Sequence, residues 1–483
     1  MRHTHQPEHL LSVLTLDFNY TAMIRSRLLF PLIIIVLCTI GACKKLDQVN
    51  YSGVPSNKVF TDSTSFKDAV NGLYNTLGAK EYYGAFYPMF ADLNSDNGIA
   101  GGYNNTSLVE FGSYNVGSSN LFLENMYVSL YNSIGTANTI LSGLNTVKGV
   151  KAPNGALKST TKGTCLAIRA LVHFDLLRAF GYHWDLTSTY GIPVVLKVQG
   201  LGDIIPRSTV AQTYKAILSD LNEADDSLQS NGSRDANYIN LRMIQALKAR
   251  VYFYMKDYIN AGLEADSVIN DGSYKILDAN NFQSVYTSKK SVESIFELAF
   301  NQQNQSFFNS YTYSRTAAAT TEIFFIASQY LDSFFVHRQN DLRVNLLNYT
   351  SANIAPNGRT LKYRGEINRD NPAYILRLPE MYLIRAAAAG LAGGGLADLN
   401  IIRTNRGLSQ LGPLDLTTES AFQQSLEDER RAEFNFEGHR FFDLARTGQV
   451  SAVLGVPQTN AVWPIPIREI TATKGIVIQN PGY

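Results

Sequence analysis

Apolar residues recur along most of this chain at helical spacing. Phe66, Val70, Leu73 and Leu77 are separated by four, three and four positions, which places them on one face of a helix. Ile217, Leu221, Ala224 and Leu228 mark a second such face, and Ile244, Leu247, Val251, Tyr254 and Tyr258 a third. A partner helix carrying Ala261, Ala265 and Ile269 follows Asp257. Residues 164–180 (TCLAIRALVHFDLLRAF) are apolar on more than one side, which predicts a helix packed between others. Pro379 opens a further helix at its first turn, Gly407 closes the one running from Leu396, and a long helix runs from about Glu419 to Arg440. Ala249, Tyr252 and Ala261 match the small–aromatic–small spacing of a tetratricopeptide helix pair, although the Trp and Phe positions of that repeat are unfilled. The pattern predicts a mainly α fold: a helical-repeat, tetratricopeptide-like scaffold with few short strands.

Two stretches break the periodicity. Residues 80–120 and 300–330 are rich in Gly, Asn, Ser and Tyr and too long for simple connectors. They read as large, irregular, aromatic-rich loops, and long ordered loops on a rigid scaffold usually carry function.

Charge and composition narrow the function. The 483 residues hold 42 Lys+Arg against 41 Asp+Glu, which argues against a dedicated nucleic-acid binder with its basic face. Hydrophobic residues at 45% are enough for a real core, and the aromatic content argues against a disordered chain. The 27 Tyr and 25 Phe stand beside only 2 Trp; many Tyr can sit in a core with the hydroxyl tethered, or line a surface that binds something flat and polar.

The cysteines are Cys38, Cys43 and Cys165. From Met23, Arg25 and Arg27 form a short basic start, Leu28 to Ile40 an apolar stretch, and Ile40-Gly41-Ala42-Cys43 a small-residue stop. This is the layout of a secretory signal, too short to span a membrane. Its ending resembles the lipobox of bacterial lipoproteins, in which Cys43 is lipidated and becomes the first mature residue; a plain signal peptide containing a cysteine is the weaker alternative. Residues 1–22 add nothing expected of a signal, so translation is expected to start at Met23. Lys44 to Gly53 read as a polar tether, and Lys44, not Asp, at the second mature position resembles known sorting patterns that permit export to the outer membrane.

Catalytic signatures are missing from the sequence. His173, His183, His337 and His439 form no HExxH pair, and there is no Walker-type loop and no GxSxG elbow. Glu429, Glu433 and Glu437 repeat every four residues beside Arg430, Arg431 and Arg440, which reads as an ion-pair network along one helix. Two glycosidase acids would instead come from different elements flanking a cleft. His173 and Cys165 read as core residues.

Several stretches together resemble one family. They are VPSNKVFTDSTSFKDAVNGLYNTL (54–77), AIRALVHFDLLRAFGYHW (167–184), YGIPVVL (190–196), RSTVAQTYKAILSDLNEA (207–224), RLPEMYLIRAAAAG (377–390), ERRAEFNFEGHRFFDLARTG (429–448), WPIPIREI (463–470) and QNPGY (479–483). The chain is thereby identified as a member of the SusD/RagB outer-membrane nutrient-binding lipoproteins. Ala387 and Ala388 depart from an Ala-Glu pair found in many members. The resemblance implies a signal region over 1–43, an N-terminal region with helical repeats over 44–320 and a C-terminal region over 321–483, packed as one globular unit. It implies a non-catalytic lipoprotein of the outer membrane, facing the cell exterior; no cofactor is expected, and no residue is assigned as a metal ligand. Such a protein captures oligosaccharide for a SusC-like TonB-dependent transporter. RagB-like members take peptides, which is the nearest alternative ligand; a surface glycosidase and a protein-only adaptor are the other readings. Glu429, Arg430, Glu437, Arg440 and Asp443 read as structural.

The ligand face of the family is variable, so contact residues are chosen from composition. Tyr82, Tyr83, Phe86 and Tyr87 form the densest aromatic cluster, followed by Asn94 and Asp96. Trp184 lies between a helix end and Gly191-Ile192-Pro193. Phe307, Phe308, Tyr311 and Tyr313 form a second polar-aromatic loop with Gln302, Gln305 and Arg315. Trp184 is expected to share an exposed surface with Tyr82 and Tyr83, while Trp463 is expected in the core.

Overall fold

The computed structural model describes residues 59–483 apart from 102–105, 145, 201, 230–232, 309–310, 313–323, 350–357 and 364–369. Cys43, Tyr313 and Arg315 therefore lie outside the described residues. Helix α1 (Ser63–Leu77) begins where Asp62 accepts from the Ser65 N–H and Ser65 bonds back to the Asp62 backbone, a reciprocal capping box. It buries Phe66, Leu73 and Leu77. The helices that follow are α2 (Phe86–Leu93), α3 (Thr106–Gly112), α4 (Leu121–Gly143), α5 (Gly155–Phe180), α6 (Val210–Leu228), α7 (Leu241–Tyr254) and α8 (Tyr258–Ile269). The C-terminal half adds α9 (Gln329–Val336), α10 (Leu378–Ala389), α11 (Gly395–Thr404), α12 (Glu419–Phe434), α13 (Arg440–Thr447), α14 (Val450–Leu454) and α15 (Ile467–Ala472).

The chain is mainly helical, and neighbours in sequence pack side by side. Helix α4 lies on α5, α5 on α6, α6 on α7 and α7 on α8; the stack continues through α10, α11 and α12. Helix α5 touches α1, α4, α6 and α7, and every residue from Gly163 to Phe180 is buried, as its all-round apolar sequence requires. Among the described residues there are three short antiparallel pairs: β1 (Gly98–Gly101) with β3 (Phe324–Ala327), β2 (Ser294–Leu298) with β6 (Ala373–Arg377), and β4 (Leu347–Asn348) with β5 (Arg359–Thr360). Residues Ser56–Tyr483 form one compact unit. Among the described residues, no helix is long and apolar enough to cross a membrane.

Three expectations drawn from periodicity are corrected. Tyr258 does not extend α7: Asp257 caps the Asn260 N–H and starts α8 there, leaving Tyr258 36% exposed. The helix expected over Glu419–Arg440 is two helices. Phe436 (φ 60°) and Gly438 (φ 79°) take left-handed backbone between α12 and α13, and a Cβ on Gly438 would sit 2.5 Å from the Pro88 Cα. Glu437 therefore lies in this turn and not on the helix of Glu429 and Glu433. The stretch 80–120 is no loop either; it holds α2, β1 and α3. Small residues also set the helix spacing where Ala388 departs from the family pattern. A Cβ on Gly262 of α8 would meet the Ala388 Cβ at 3.0 Å, so α8 and α10 approach closely there.

Candidate functional site

Residues 79–86 form a tight turn between α1 and α2. Within it Tyr82 and Gly84 donate to the Ala79 carbonyl, both at 2.9 Å, and Phe86 donates to the Lys80 carbonyl at 2.9 Å. A Cβ on Gly84 would lie 2.4 Å from the Gly78 carbonyl oxygen, so only glycine fits. The turn sends its tyrosines inward to a charged residue of α5. Asp175 accepts from the Tyr82 hydroxyl at 2.5 Å, the Tyr83 hydroxyl at 2.7 Å and the Arg178 guanidinium at 2.5 Å. Tyr87 donates to the Asp175 carbonyl at 3.1 Å. Burial first, and the Asp175 carboxylate second, push the Tyr82 and Tyr83 hydroxyls well above their ordinary pKa, so both stay protonated donors.

This arrangement corrects the expected ligand contacts. Tyr82, Tyr83, Phe86, Tyr87, Asn94 and Asp96 are all buried. The tyrosines are buried because their hydroxyls have partners in the core, which removes the cost of desolvating them. Phe86 stacks on Phe90 at 4.9 Å. Asn94 accepts from the Trp463 indole at 2.8 Å, and Trp463 is itself fully buried. Asp96 is pinned by Arg440 at 2.7 Å and Arg431 at 2.9 Å. Burial pushes its carboxyl up, but the two guanidiniums outweigh it and hold the pKa below the usual range.

What the turn presents outward is different. Phe307 is 40% exposed, and its N–H donates to the Gly84 carbonyl at 3.0 Å. The Lys80 ammonium lies 5.9 Å from the Phe307 ring centre and 5.4 Å from that of Phe86, and Glu81 sits 3.6 Å from the ammonium. Tyr311 is half-buried against Phe86 at 5.4 Å, and half-buried Phe122 meets the same ring at 5.2 Å. Asn301, Gln302, Gln303 and Asn304 are exposed just ahead of Phe307, with Gln305 half-buried, while Phe308 turns inward and stacks on Tyr363 at 4.0 Å. The fold thus joins two stretches distant in sequence into one aromatic and amide-bearing face, with the tyrosine cluster as its footing. Lys80 and Glu81 were missed by composition. The available signal was Asp175 and Arg178 inside the buried stretch Gly163–Phe180 of α5, since buried charges require partners.

Trp184 is elsewhere. It is half-buried, stacks on Tyr182 at 5.1 Å and packs on Leu444, Val450 and Ala461. It shares no surface with Tyr82 and Tyr83, which are inside. A groove of about 900 Å³ lies between α11 and residues 410–417, but its walls are Leu, Ile, Ala, Pro, Gly and polar side chains without an aromatic ring.

The carboxylates of the C-terminal region are engaged across elements rather than along one helix. Glu429 pairs with Arg338 and Arg343, both at 2.6 Å. Glu433 meets Arg377 at 2.9 Å, Arg406 at 3.0 Å and Arg343 at 3.2 Å. Glu437 pairs with Lys362 at 2.7 Å and Arg377 at 2.8 Å. Arg430 and Asp443 form a two-pronged pair at 3.1 Å, and Arg440 reaches Asp96. His173 accepts from the Val195 N–H at 3.1 Å through Nε2, and burial depresses its pKa to about 3, so it is neutral. Burial pushes the Cys165 thiol up to about 12.

The SusD family profile matches residues 219–483, and a second profile, described as starch-binding and associating with the outer membrane, matches residues 45–253. SusD-like protein P2 of Formosa agariphila is 22% identical over 93% of this chain and 98% of its own length. A SusD superfamily protein of Bacteroides thetaiotaomicron superposes with a TM-score of 0.76 at 24% identity, covering 87% of this chain and 100% of its own. A laminarin-binding SusD-like protein superposes with a TM-score of 0.72 at 21% identity, covering 88% and 100%. With one profile spanning more than half of its residues, the chain belongs to the SusD family.

Proposed function

We propose that the protein is a non-catalytic, lipid-anchored binding protein on the outer face of the outer membrane, which holds an oligosaccharide and passes it to a SusC-like TonB-dependent transporter. The observation that carries this reading is the Phe307 ring, held out to solvent beside a turn whose tyrosines, Tyr82 and Tyr83, are locked into the core. A flat ring suits the apolar face of a pyranose, and the flanking amides, Tyr311, Lys80 and Glu81 suit its hydroxyls. Membership of the SusD family and the laminarin-binding structural neighbour support a glycan as the ligand. The pairing of Glu429, Glu433, Glu437 and Asp443 with cations supports binding without catalysis, because a glycosidase needs two acids facing one cleft.

Titration calorimetry with a panel of oligosaccharides and peptides tests the reading. Phe307→Ala is expected to weaken oligosaccharide binding by about 1–3 kcal/mol, taking base–aromatic stacking as the guide. Its melting temperature should stay close to that of the wild type. Unchanged affinity in this variant contradicts the assigned face. The anchor is tested separately: Cys43→Ala should move the protein from the outer-membrane fraction to the soluble fraction, and retention on the membrane would point to another anchor.

A further inference from the structure

We infer that Lys80 and Glu81 act as a matched donor and acceptor for two neighbouring hydroxyls of an uncharged sugar ring resting on Phe307, and that this pair selects uncharged glycans over uronate- or sulfate-bearing ones. The inference rests on the ligand face proposed above.

The geometry leaves both side chains available. Their charged atoms are 3.6 Å apart, longer than a charge-assisted hydrogen bond, and both side chains are about one-third exposed at 37% and 28%. Among the described residues neither makes a shorter polar side-chain contact. The Lys80 stem is nevertheless fixed, because its ammonium lies over both the Phe86 and Phe307 rings. The backbone beneath is held as well: the Lys80 carbonyl accepts from Phe86, and Tyr82 and Tyr83, which follow Glu81, are tied to Asp175. Little ordering is therefore left for binding to supply.

The chemistry follows from that pose. Adjacent ring hydroxyls present an acceptor and a donor side by side. The ammonium can donate to one while the carboxylate accepts from the other. The face gains no net charge from this pair, since each member compensates the other. A sugar carboxylate or sulfate would find the ammonium already matched and a like charge beside it, which disfavours that ligand. Glu81 is thus the discriminating residue and Lys80 the positioning donor.

The test titrates laminari-, malto-, xylo- and manno-oligosaccharides beside oligogalacturonate and oligoalginate of similar length. The proteins are the wild type, Glu81→Gln, Lys80→Met and Phe307→Ala. The wild type should bind a member of the uncharged set and prefer it over either uronate. Glu81→Gln should raise uronate affinity by about fivefold at low salt by unmasking the lysine, and the gain should fade at high salt as screening sets in. Lys80→Met should abolish that gain in the double variant. Equal wild-type binding of uronates, or a preference untouched by Glu81→Gln, overturns the inference while a Phe307→Ala loss keeps the ligand face. If Phe307→Ala binds as well as the wild type, the face itself fails, and this inference with it.

Discussion

Glu433→Gln should lower the stability of the folded protein by about 3–5 kcal/mol, the cost of breaking a buried ion pair by removing one partner. Glu433 is 2% exposed and holds three guanidiniums, those of Arg343, Arg377 and Arg406, which also meet Glu293, Glu437 and Asp341. Removing its charge leaves the arginines facing one another in a site shielded from bulk solvent. Burial pushes the Glu433 pKa up, but Arg406, Arg377 and Arg343 outweigh it and hold it well below the ordinary value. A carboxyl depressed in the folded state contributes stability that is present above its unfolded pKa and lost as pH falls toward the folded one. Urea denaturation of the wild type should therefore show a midpoint that falls as the pH drops below the carboxylate range, and the variant should show a shallower acid dependence. A variant as stable as the wild type at neutral pH would show that the network is not what holds α12 to its surroundings.

Asp175→Ala is expected to have a similar cost, about 3–5 kcal/mol, with a second consequence at the surface. The substitution strands the Arg178 charge and two tyrosine hydroxyls at once. Tyr83→Phe removes a single donor and should cost only about 1–3 kcal/mol, because one acceptor site on Asp175 goes unfilled. Asp175 is fully buried, yet its loss should also weaken oligosaccharide binding, since the 79–86 turn that carries Lys80, Glu81 and the Gly84 anchor of Phe307 is no longer pinned. Calorimetry at a temperature where the variant is folded separates the two effects. Full affinity in a destabilised variant would show that the turn keeps its pose without Asp175.

The helices were legible because each buries one stripe, and Phe66, Leu73 and Leu77 or Ile217, Leu221, Ala224 and Leu228 betray that stripe by spacing alone. The helix break at Asn435 was not legible, because Glu and Arg keep their four-residue rhythm through it while Phe436 adopts a left-handed backbone that no local residue type announces. Of the ligand contacts expected from composition, Tyr82, Tyr83, Phe86, Tyr87, Asn94 and Asp96 are buried and Phe307 is exposed. Tyr, Gly and Asn crowding describes a tethered core cluster as well as an exposed binding loop; what decides is the partner, and Asp175 lies 93 positions from Tyr82. Phe307 and its amide-rich loop were picked out by composition, but their seat on Gly84 depends on a contact between segments that the sequence does not mark. Trp184 was misjudged through its polar neighbours: His183 is itself buried with its ring edge-on to the indole at 5.1 Å, and the indole packs beside α13 and α14.

A crystal structure of the protein with the tightest-binding oligosaccharide of the panel tests the central claim most directly. The account predicts a sugar ring lying flat on Phe307, with hydroxyls within hydrogen-bond reach of Lys80, Glu81 and Tyr311 and the tyrosine cluster unmoved beneath. Sugar bound on the Tyr182–Trp184 stack or in the groove beside α11, with Phe307 left bare, would contradict it.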